Sequence, residues 1–344
     1  MLTCVRTEDF TFELPLGQIA QQPAEPRDCA LLMVLRFRTK TIEHRIVRDL
    51  PEILKPGDLL VVNDTRVMAA RLFGRRPDTG GEVEALLVRP FSDRVWEVLF
   101  KPSRQARPGR RFIFDATDGP LPASVQFHAG GPVVLEFERP FDPASAGTVP
   151  LPPYIKEYEG DPERYQTVYS REPASAAAPT AGLHFTRELF EALATRDIER
   201  SEVTLHVGPG TFRPVVADDP RDHVLHAEHV TVPAAAAEAV ARAKAQPRRV
   251  VAVGTTVVRT LEHVARERGA IEPYDGWTSL RILPGDSFKV VDALMTNFHL
   301  PKSTLLMLVC ALAGQEFVLD AYRQAVAEGY RFYSFGDAML LLPE

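Results

Sequence analysis

Residues 250–253 (Val-Val-Ala-Val) are an apolar run of strand length that leads straight into Gly254, Thr255 and Thr256, then into a helical pattern carrying Arg259. A strand that turns at a glycine into a helix presents the free N–H groups of the first helical turn. Two hydroxyls beside them suit a carboxylate or a phosphate. A plain helix cap accounts for either threonine equally well. Residues 204–212 (TLHVGPGTF) run a strand into Gly208, Pro209 and Gly210, with His206, Thr211 and Phe212 close by. Two glycines around a proline let the backbone approach a flat ligand, although a structural turn explains them too. No GxGxxG string occurs in the chain, which removes the sequence case for an ordinary dinucleotide-binding dehydrogenase or a typical methyltransferase.

Histidines gather at His223, His226 and His229, with Glu228 among them. The run could hold a metal or serve as an acid–base group, but no third ligand stands out elsewhere, so polar structural histidines are the expectation and no metal is assigned. His184 follows a glycine turn just ahead of a helix. Residues 295–303 (MTNFHLPKS) crowd Asn297, His299, Lys302 and Ser303 between a strand-like run and a helix start. Residues 331–337 (RFYSFGD) alternate aromatics with polar groups, including Tyr333 and Asp337. Each stretch alone reads as a turn or a cap. Together, aromatics interleaved with amides and hydroxyls suit recognition of a flat base.

The elements that must position these groups fall into two kinds. Residues 82–88, 95–100, 111–114, 123–127 and 133–137 are short alternating segments separated by Gly, Pro and Asp clusters, the pattern of a small antiparallel barrel or sandwich. Before and after them, strands alternate with helices. Strand patterns at 30–37, 42–47, 59–62, 201–207, 249–253 and 280–283 go with helices at 187–195, 234–245, 257–268, 304–312 and 317–328. Thr186 and Ser303 suit N-caps, while Gly314 and Gly329 suit helix stops. The expected fold is α/β: a mixed main domain of residues 1–64 and 150–344, interrupted by an inserted β-barrel at 65–149.

The chain has 344 residues, 40 Lys+Arg against 46 Asp+Glu, and a net charge of -6. That total argues against a nucleic-acid partner, but its distribution does not. Residues 65–112 hold eleven basic and five acidic residues, a local +6, and the remainder carries -12. Screening confines each charge to about 10 Å at moderate salt, so an Arg-rich patch attracts phosphate whatever the total. The patch includes Arg66, Arg71, Arg75, Arg76, Arg104, Arg107, Arg110 and Arg111; a solvated surface is the plainer reading. Three widely spaced cysteines (Cys4, Cys29, Cys310) argue against a disulfide framework. The longest apolar run, 305–313, falls short of the roughly 20 residues of a membrane span, and the charged N-terminus is no secretory signal. A cytoplasmic protein is expected.

Taken in order, these segments resemble one family, the S-adenosylmethionine:tRNA ribosyltransferase-isomerases of queuosine biosynthesis. The matching strings are DFTFELP, IAQQPAEPRD, GDLLVVNDTRV, LPPYI, PTAGLHFT, LHVGPGTF, VGTTVVRTLE, VDALMTNFHLPKSTLLMLV and YRFYSFGDAML. They span the chain and are weakest across 115–150. The resemblance implies transfer of the ribosyl part of S-adenosylmethionine onto 7-aminomethyl-7-deazaguanine at the wobble position of tRNA. Epoxyqueuosine would form, with adenine and methionine released. It implies no cofactor beyond S-adenosylmethionine, which is consumed; a monomer acting without a membrane is expected.

A sulfonium acidifies the neighbouring C5′ proton, so such a reaction needs a proton acceptor, a donor for departing adenine and an anchor for the methionine carboxylate. On the resemblance, His184, His206 and His299 are the acid–base candidates, with Asp286 and Asp337 behind them. The Gly254–Thr255–Thr256 turn with Arg259 is the expected anchor. Gly208, Gly210, Thr211, Phe212, Asn297, Lys302, Ser303, Tyr333 and Asp337 complete the expected substrate contacts, and the eight arginines those to tRNA. Val257 stands where the family usually has serine. Two other readings remain open: an adenosyl transferase acting on a free small molecule, and a non-catalytic RNA-binding barrel protein.

Overall fold

The structure, a computed structural model, describes residues 5–128, 133–208 and 215–344. The chain opens with strands β1 (Leu31–Arg36) and β2 (Thr41–Ile46), a single turn α1 (Leu50–Ile53) and β3 (Leu59–Asn63). The short β4 (Arg66–Val67) precedes β5 (Arg71–Arg75), β6 (Glu82–Pro90), β7 (Val95–Lys101), β8 (Arg111–Phe114), β9 (Leu121–His128) and β10 (Val133–Phe137). Next come α2 (Pro143–Ala146), β11 (Gly147–Thr148), β12 (Pro173–Ser175), α3 (Arg187–Thr195) and β13 (Glu199–Leu205). They are followed by β14 (Glu228–Val232), α4 (Ala234–Ala245), β15 (Val250–Val253), α5 (Thr255–Arg268) and β16 (Tyr274–Thr278). The chain closes with β17 (Ala293–Asn297), α6 (Thr304–Ala313), α7 (Gln315–Ala327) and β18 (Ala338–Leu342).

Two compact units result. The first comprises Met1–Thr65, Pro153–Glu172 and Ala178–Glu344, and the second Arg66–Pro152 with Pro173–Ala177. The last segment joins the second unit because β12 pairs with β4.

The first unit is built on a nine-stranded sheet of order β16-β14-β13-β3-β15-β17-β18-β1-β2. Its centre, β13-β3-β15-β17, is parallel, while β14, β16, β18 and β2 each meet a neighbour antiparallel. The strands β3, β15, β17 and β18 are buried along their whole length, which explains their unbroken apolar sequences: both faces are covered. On one face lie α4, α5, α6 and α7, packing residues such as Val240, Leu261, Leu306 and Val318. On the other, Leu189 and Leu193 of α3 meet Val62, Val251 and Met295. Thr186 caps α3 through Leu189 N (3.0 Å), and Ser303 caps α6 through Leu306 N (3.1 Å). Gly314, at φ 93°, turns α6 into α7 at 116°. Among the described residues no single helix is long and apolar enough to cross a membrane.

In the second unit, β5, β6, β7, β10, β9 and β8 pair antiparallel in that order, and β8 pairs back to β5 to close a six-stranded barrel. Every second residue points inward, and Leu72, Ala85, Val98, Phe100, Phe112, Val125 and Phe137 fill the interior. Gly74 lets β5 reach β8, since a Cβ there would lie 2.6 Å from the Ile113 carbonyl oxygen.

One expected strand is absent. Residues 280–283 are irregular, because side chains occupy their backbone groups: the Leu280 carbonyl accepts from Arg259 Nε (2.9 Å), and Leu283 N donates to Asp286 (2.8 Å). The strand instead forms just upstream, as β16.

Candidate active site

A cleft opens in the first unit where the parallel strands β13, β15 and β17 end. Crevices at the carboxyl ends of such strands are where α/β sheets hold ligands. Gly254 ends β15 with φ 93° and starts α5, so Thr255 and Thr256 reach the cleft from the first helical turn. Thr256 Oγ1 accepts from Asn63 Nδ2 (3.2 Å), and the other side of that buried amide accepts from Thr65 N and Leu205 N (3.2 and 3.0 Å). Asn63 thereby ties the ends of β3 and β13 to the helix start. Val257 is fully buried in the helical core, so the residue at this position faces apolar packing rather than the cleft.

The opposite wall comes from the segment after β17 and the one before β18. Asn297 Nδ2 donates to the Tyr333 carbonyl (2.9 Å), and Tyr333 N donates to that of Phe298 (3.2 Å). These two bonds hold Tyr333 at φ 70°, an unusual conformation for a non-glycine residue, and place its ring on that of Tyr154, 4.6 Å away and 22° from parallel. The Tyr154 hydroxyl bonds Ser334 Oγ (2.6 Å). Burial raises the pKa of Tyr333 to about 12 and drives that of Tyr154 higher still, so both phenols keep their protons. His299 lines the same cleft, with Nε2 hydrogen-bonded to Thr296 Oγ1 (2.8 Å) and its backbone N donating to the Tyr322 hydroxyl (3.0 Å). Burial lowers its pKa to about 3, which makes it a neutral imidazole at physiological pH. Ser303 borders the cleft from the α6 cap.

The other two expected histidines stand elsewhere. His184 ends the 3-10 turn Thr180–His184 and borders a smaller neighbouring cleft with Arg27 and Arg164. Its Nε2 has no partner among the described residues, and burial, opposed by the charge of Asp337, lowers its pKa to about 4. His206 bonds Thr65 Oγ1 through Nδ1 (2.8 Å) and lies nearly parallel to His229. Burial lowers its pKa, and His229 adds to the effect.

A second cleft shares Leu305 with the first and is lined by Gly208, His223, His226, Glu228, Arg259 and Arg281. Here the expected anchor divides: Arg259 lines this cleft, whereas Thr255 and Thr256 line the first. Arg259 forms a buried ion pair with Glu228, whose Oε1 accepts from Gly208 N (2.8 Å). Of the histidine run, His223, His226 and Glu228 share this cleft but His229 does not, and among the described residues they form no group that could hold a metal. Glu228 and His229 are adjacent on β14, so their side chains take opposite faces of the sheet.

Other expected residues have local duties. Asp337 accepts from Leu31 N (3.0 Å), Arg331 N (2.8 Å) and the Arg331 guanidinium (3.0 Å), joining the starts of β18 and β1. Lys302 pairs with Glu8 (2.7 Å) at the surface, and Asp286 caps its own turn. Gly210, Thr211 and Phe212 lie outside the described residues. Reasoning from residue types missed Tyr154, Asn63 and Thr296, and placed Glu228 only within the histidine run, not as the partner of Arg259. The signals for the three missed residues were the LPPYI, GDLLVVNDTRV and MTNFHLPKS strings.

In the barrel unit, the arginine-rich segment is largely paired. Arg71 meets Glu84 (3.3 Å), Arg75 meets Asp115 (3.9 Å), and Arg76 and Arg111 pair with Asp78 and Glu138. Arg66 lies in β4, and Arg110 donates to the Gln105 carbonyl (3.2 Å). Arg104 and Arg107 are exposed and make no ion pair among the described residues. Over the whole unit, twelve basic residues face ten acidic ones, a net of +2.

The mixed α/β sheet, with an aromatic, hydroxyl-lined cleft at its strand ends and a closed barrel in a second unit, defines a two-unit α/β enzyme. A sequence model of the family described as queuosine biosynthesis protein matches residues 7–341. The S-adenosylmethionine:tRNA ribosyltransferase-isomerase of Symbiobacterium thermophilum is 54% identical over 343 residues, covering 98% of this chain and 100% of its own. That of Thermus thermophilus is 54% identical over 344 residues, covering 97% and 99%. The crystal structure of the S-adenosylmethionine tRNA ribosyltransferase of Thermotoga maritima matches with a TM-score of 0.58 at 40% identity, covering 97% of this chain and 100% of that one. The chain belongs to the S-adenosylmethionine:tRNA ribosyltransferase-isomerase family.

Proposed function

We propose that this chain moves the ribosyl moiety of S-adenosylmethionine onto the aminomethyl group of 7-aminomethyl-7-deazaguanine at the wobble position of tRNA. The products are epoxyqueuosine in tRNA, adenine and methionine. It acts as a cytoplasmic monomer and uses no cofactor beyond the consumed donor. The observation that carries the reading is the first cleft, where a neutral imidazole and several hydroxyls face a stacked tyrosine pair. The tyrosine faces suit adenine, and Thr255, Thr256 and Ser303 suit the ribose hydroxyls.

His299 is the proton acceptor in this reading, because it alone of the three histidines lines that cleft. It takes the C5′ proton acidified by the sulfonium; the electron pair left behind forms a C4′=C5′ double bond, the C4′–O4′ bond breaks, and O4′ becomes the C1′ aldehyde oxygen as adenine leaves and gains a proton. The tRNA amine, losing a proton, then adds at C4′ of this vinyl sulfonium, and the electron pair returned to C5′ closes the carbon ring on C1′ and leaves an alkoxide there. Closure of the epoxide breaks the C5′–S bond and releases methionine as a neutral thioether. The tRNA backbone meets the barrel unit at the exposed Arg104 and Arg107.

The test is incubation with S-adenosylmethionine and tRNA that carries or lacks the aminomethyl base. Free adenine is expected only with the first. Formation of S-adenosylhomocysteine instead would mean methyl transfer and overturn the reading. For the barrel, R104E/R107E is expected to flatten the salt dependence of tRNA affinity by about one per lost phosphate contact.

A further inference from the structure

Arg259 is 5% exposed and nearly surrounded. It lines the second cleft; its Nε donates to the Leu280 carbonyl (2.9 Å) and its Nη1 to Glu228, but its buried Nη2 has no partner among the described residues. A buried guanidinium donor left unmade is costly, and such groups in folded proteins usually meet a ligand or ordered water. Glu228 balances one positive charge; Arg281, fixed by the carbonyls of His223 and Arg221, adds another on the same cleft. The cleft is therefore lined by an arginine with an unpaired buried donor and carries a surplus of positive charge.

We propose that the second cleft is a carboxylate site in which Arg259 Nη2 takes the α-carboxylate of the donor, with Glu228 as its positioning residue. The proposal rests on S-adenosylmethionine being the donor and adds where its amino-acid end lies. The hydroxyls of Thr255 and Thr256 then serve the adenosyl end in the first cleft, and Leu305, common to both, marks where the ligand passes from one to the other. Glu228 accepts from the guanidinium with one oxygen and from Gly208 N with the other, so the arginine and the chain just after β13 are set together. A phosphate of tRNA presents similar oxygens, and the experiment separates the two.

Calorimetric titration of the full chain with S-adenosylmethionine, its decarboxylated analogue and inorganic phosphate tests this. The wild type is expected to bind S-adenosylmethionine roughly 10- to 100-fold more tightly than the analogue, the range for one charge-assisted hydrogen bond. Arg259→Lys, which keeps a cation beside Glu228 but removes the second arm of the fork, is expected to lose most of that preference while binding the analogue as the wild type does. If Arg259→Lys fails to fold, R259M/E228Q removes both charges and carries the same expectation. Glu228→Gln is expected to raise KM for S-adenosylmethionine with kcat and analogue affinity held, a split that general loss of structure would not give. Equal binding of the two nucleosides by the wild type overturns the site and leaves Arg259 hydrated. Phosphate affinity that depends on Arg259, with S-adenosylmethionine affinity that does not, assigns it to tRNA instead. A wild type that binds neither nucleoside refutes the donor reading itself.

Discussion

The two clefts share a helix and a leucine but are built by opposite means. The first is neutral: His299 is held uncharged, the tyrosines keep their protons, and hydroxyls supply the polarity. The second is ionic, with the Arg259–Glu228 pair, Arg281 and two histidines. Helix α5 feeds both, offering Thr255 and Thr256 from its first turn and Arg259 one turn later. The contrast fits one elongated donor, whose sugar and base need shape and proton transfer and whose amino-acid end needs charge. Burial is what separates them: it costs little for a hydroxyl with a partner and a great deal for a lone charge.

The largest effect that would sharpen this contrast is on stability. Glu228→Ala leaves the Arg259 guanidinium buried without its counter-ion and is expected to lower the unfolding free energy by about 3–5 kcal/mol in urea denaturation. A near-zero change would mean that water reaches the pair and that the second cleft is less ionic than it looks.

Acid should discriminate next. His184 has its pKa lowered to about 4 by burial, against about 6.5 for an unfolded histidine, so the unfolded chain binds a proton that the folded one refuses. Its contribution is intact above about pH 6.5 and is lost progressively as pH falls toward 4, by up to roughly 3 kcal/mol. Urea midpoints measured across that window should fall less steeply in His184→Gln. The smallest effect concerns the aromatic wall: Tyr154→Ala is expected to weaken S-adenosylmethionine binding by about 0.5–1.5 kcal/mol, read by calorimetry, with the preference over the decarboxylated analogue unchanged. Loss of that preference would mean that the clefts do not work separately.

Much of this was legible in the sequence where local chemistry decides. The strand–Gly254–helix turn, the Thr186 and Ser303 caps and the break at Gly314 all follow from backbone rules acting within a few residues. So do the barrel strands at Glu82–Pro90 and Val95–Lys101, whose alternation matches a curved sheet with one packed face. What failed depends on distant partners. Residues 280–283 look like a strand until Arg259 and Asp286 claim their backbone. The local +6 of residues 65–112 shrinks to +2 over the whole barrel unit, because Asp115, Asp118, Glu136, Glu138 and Asp142 arrive from later in the chain. The three histidines were equal on paper. Only the fold puts His299 in the first cleft, buries His184 beside it and leaves His206 stacked near His229.

The most direct test of the division between the clefts is a single-turnover measurement of adenine and methionine release by His299→Ala, with S-adenosylmethionine affinity measured in parallel. The expected result is a fall in release of roughly 10²- to 10⁴-fold with affinity nearly unchanged, since the neutral cleft supplies the proton transfer and the ionic cleft most of the anchoring. Release at the wild-type rate, or a loss confined to affinity, would contradict it.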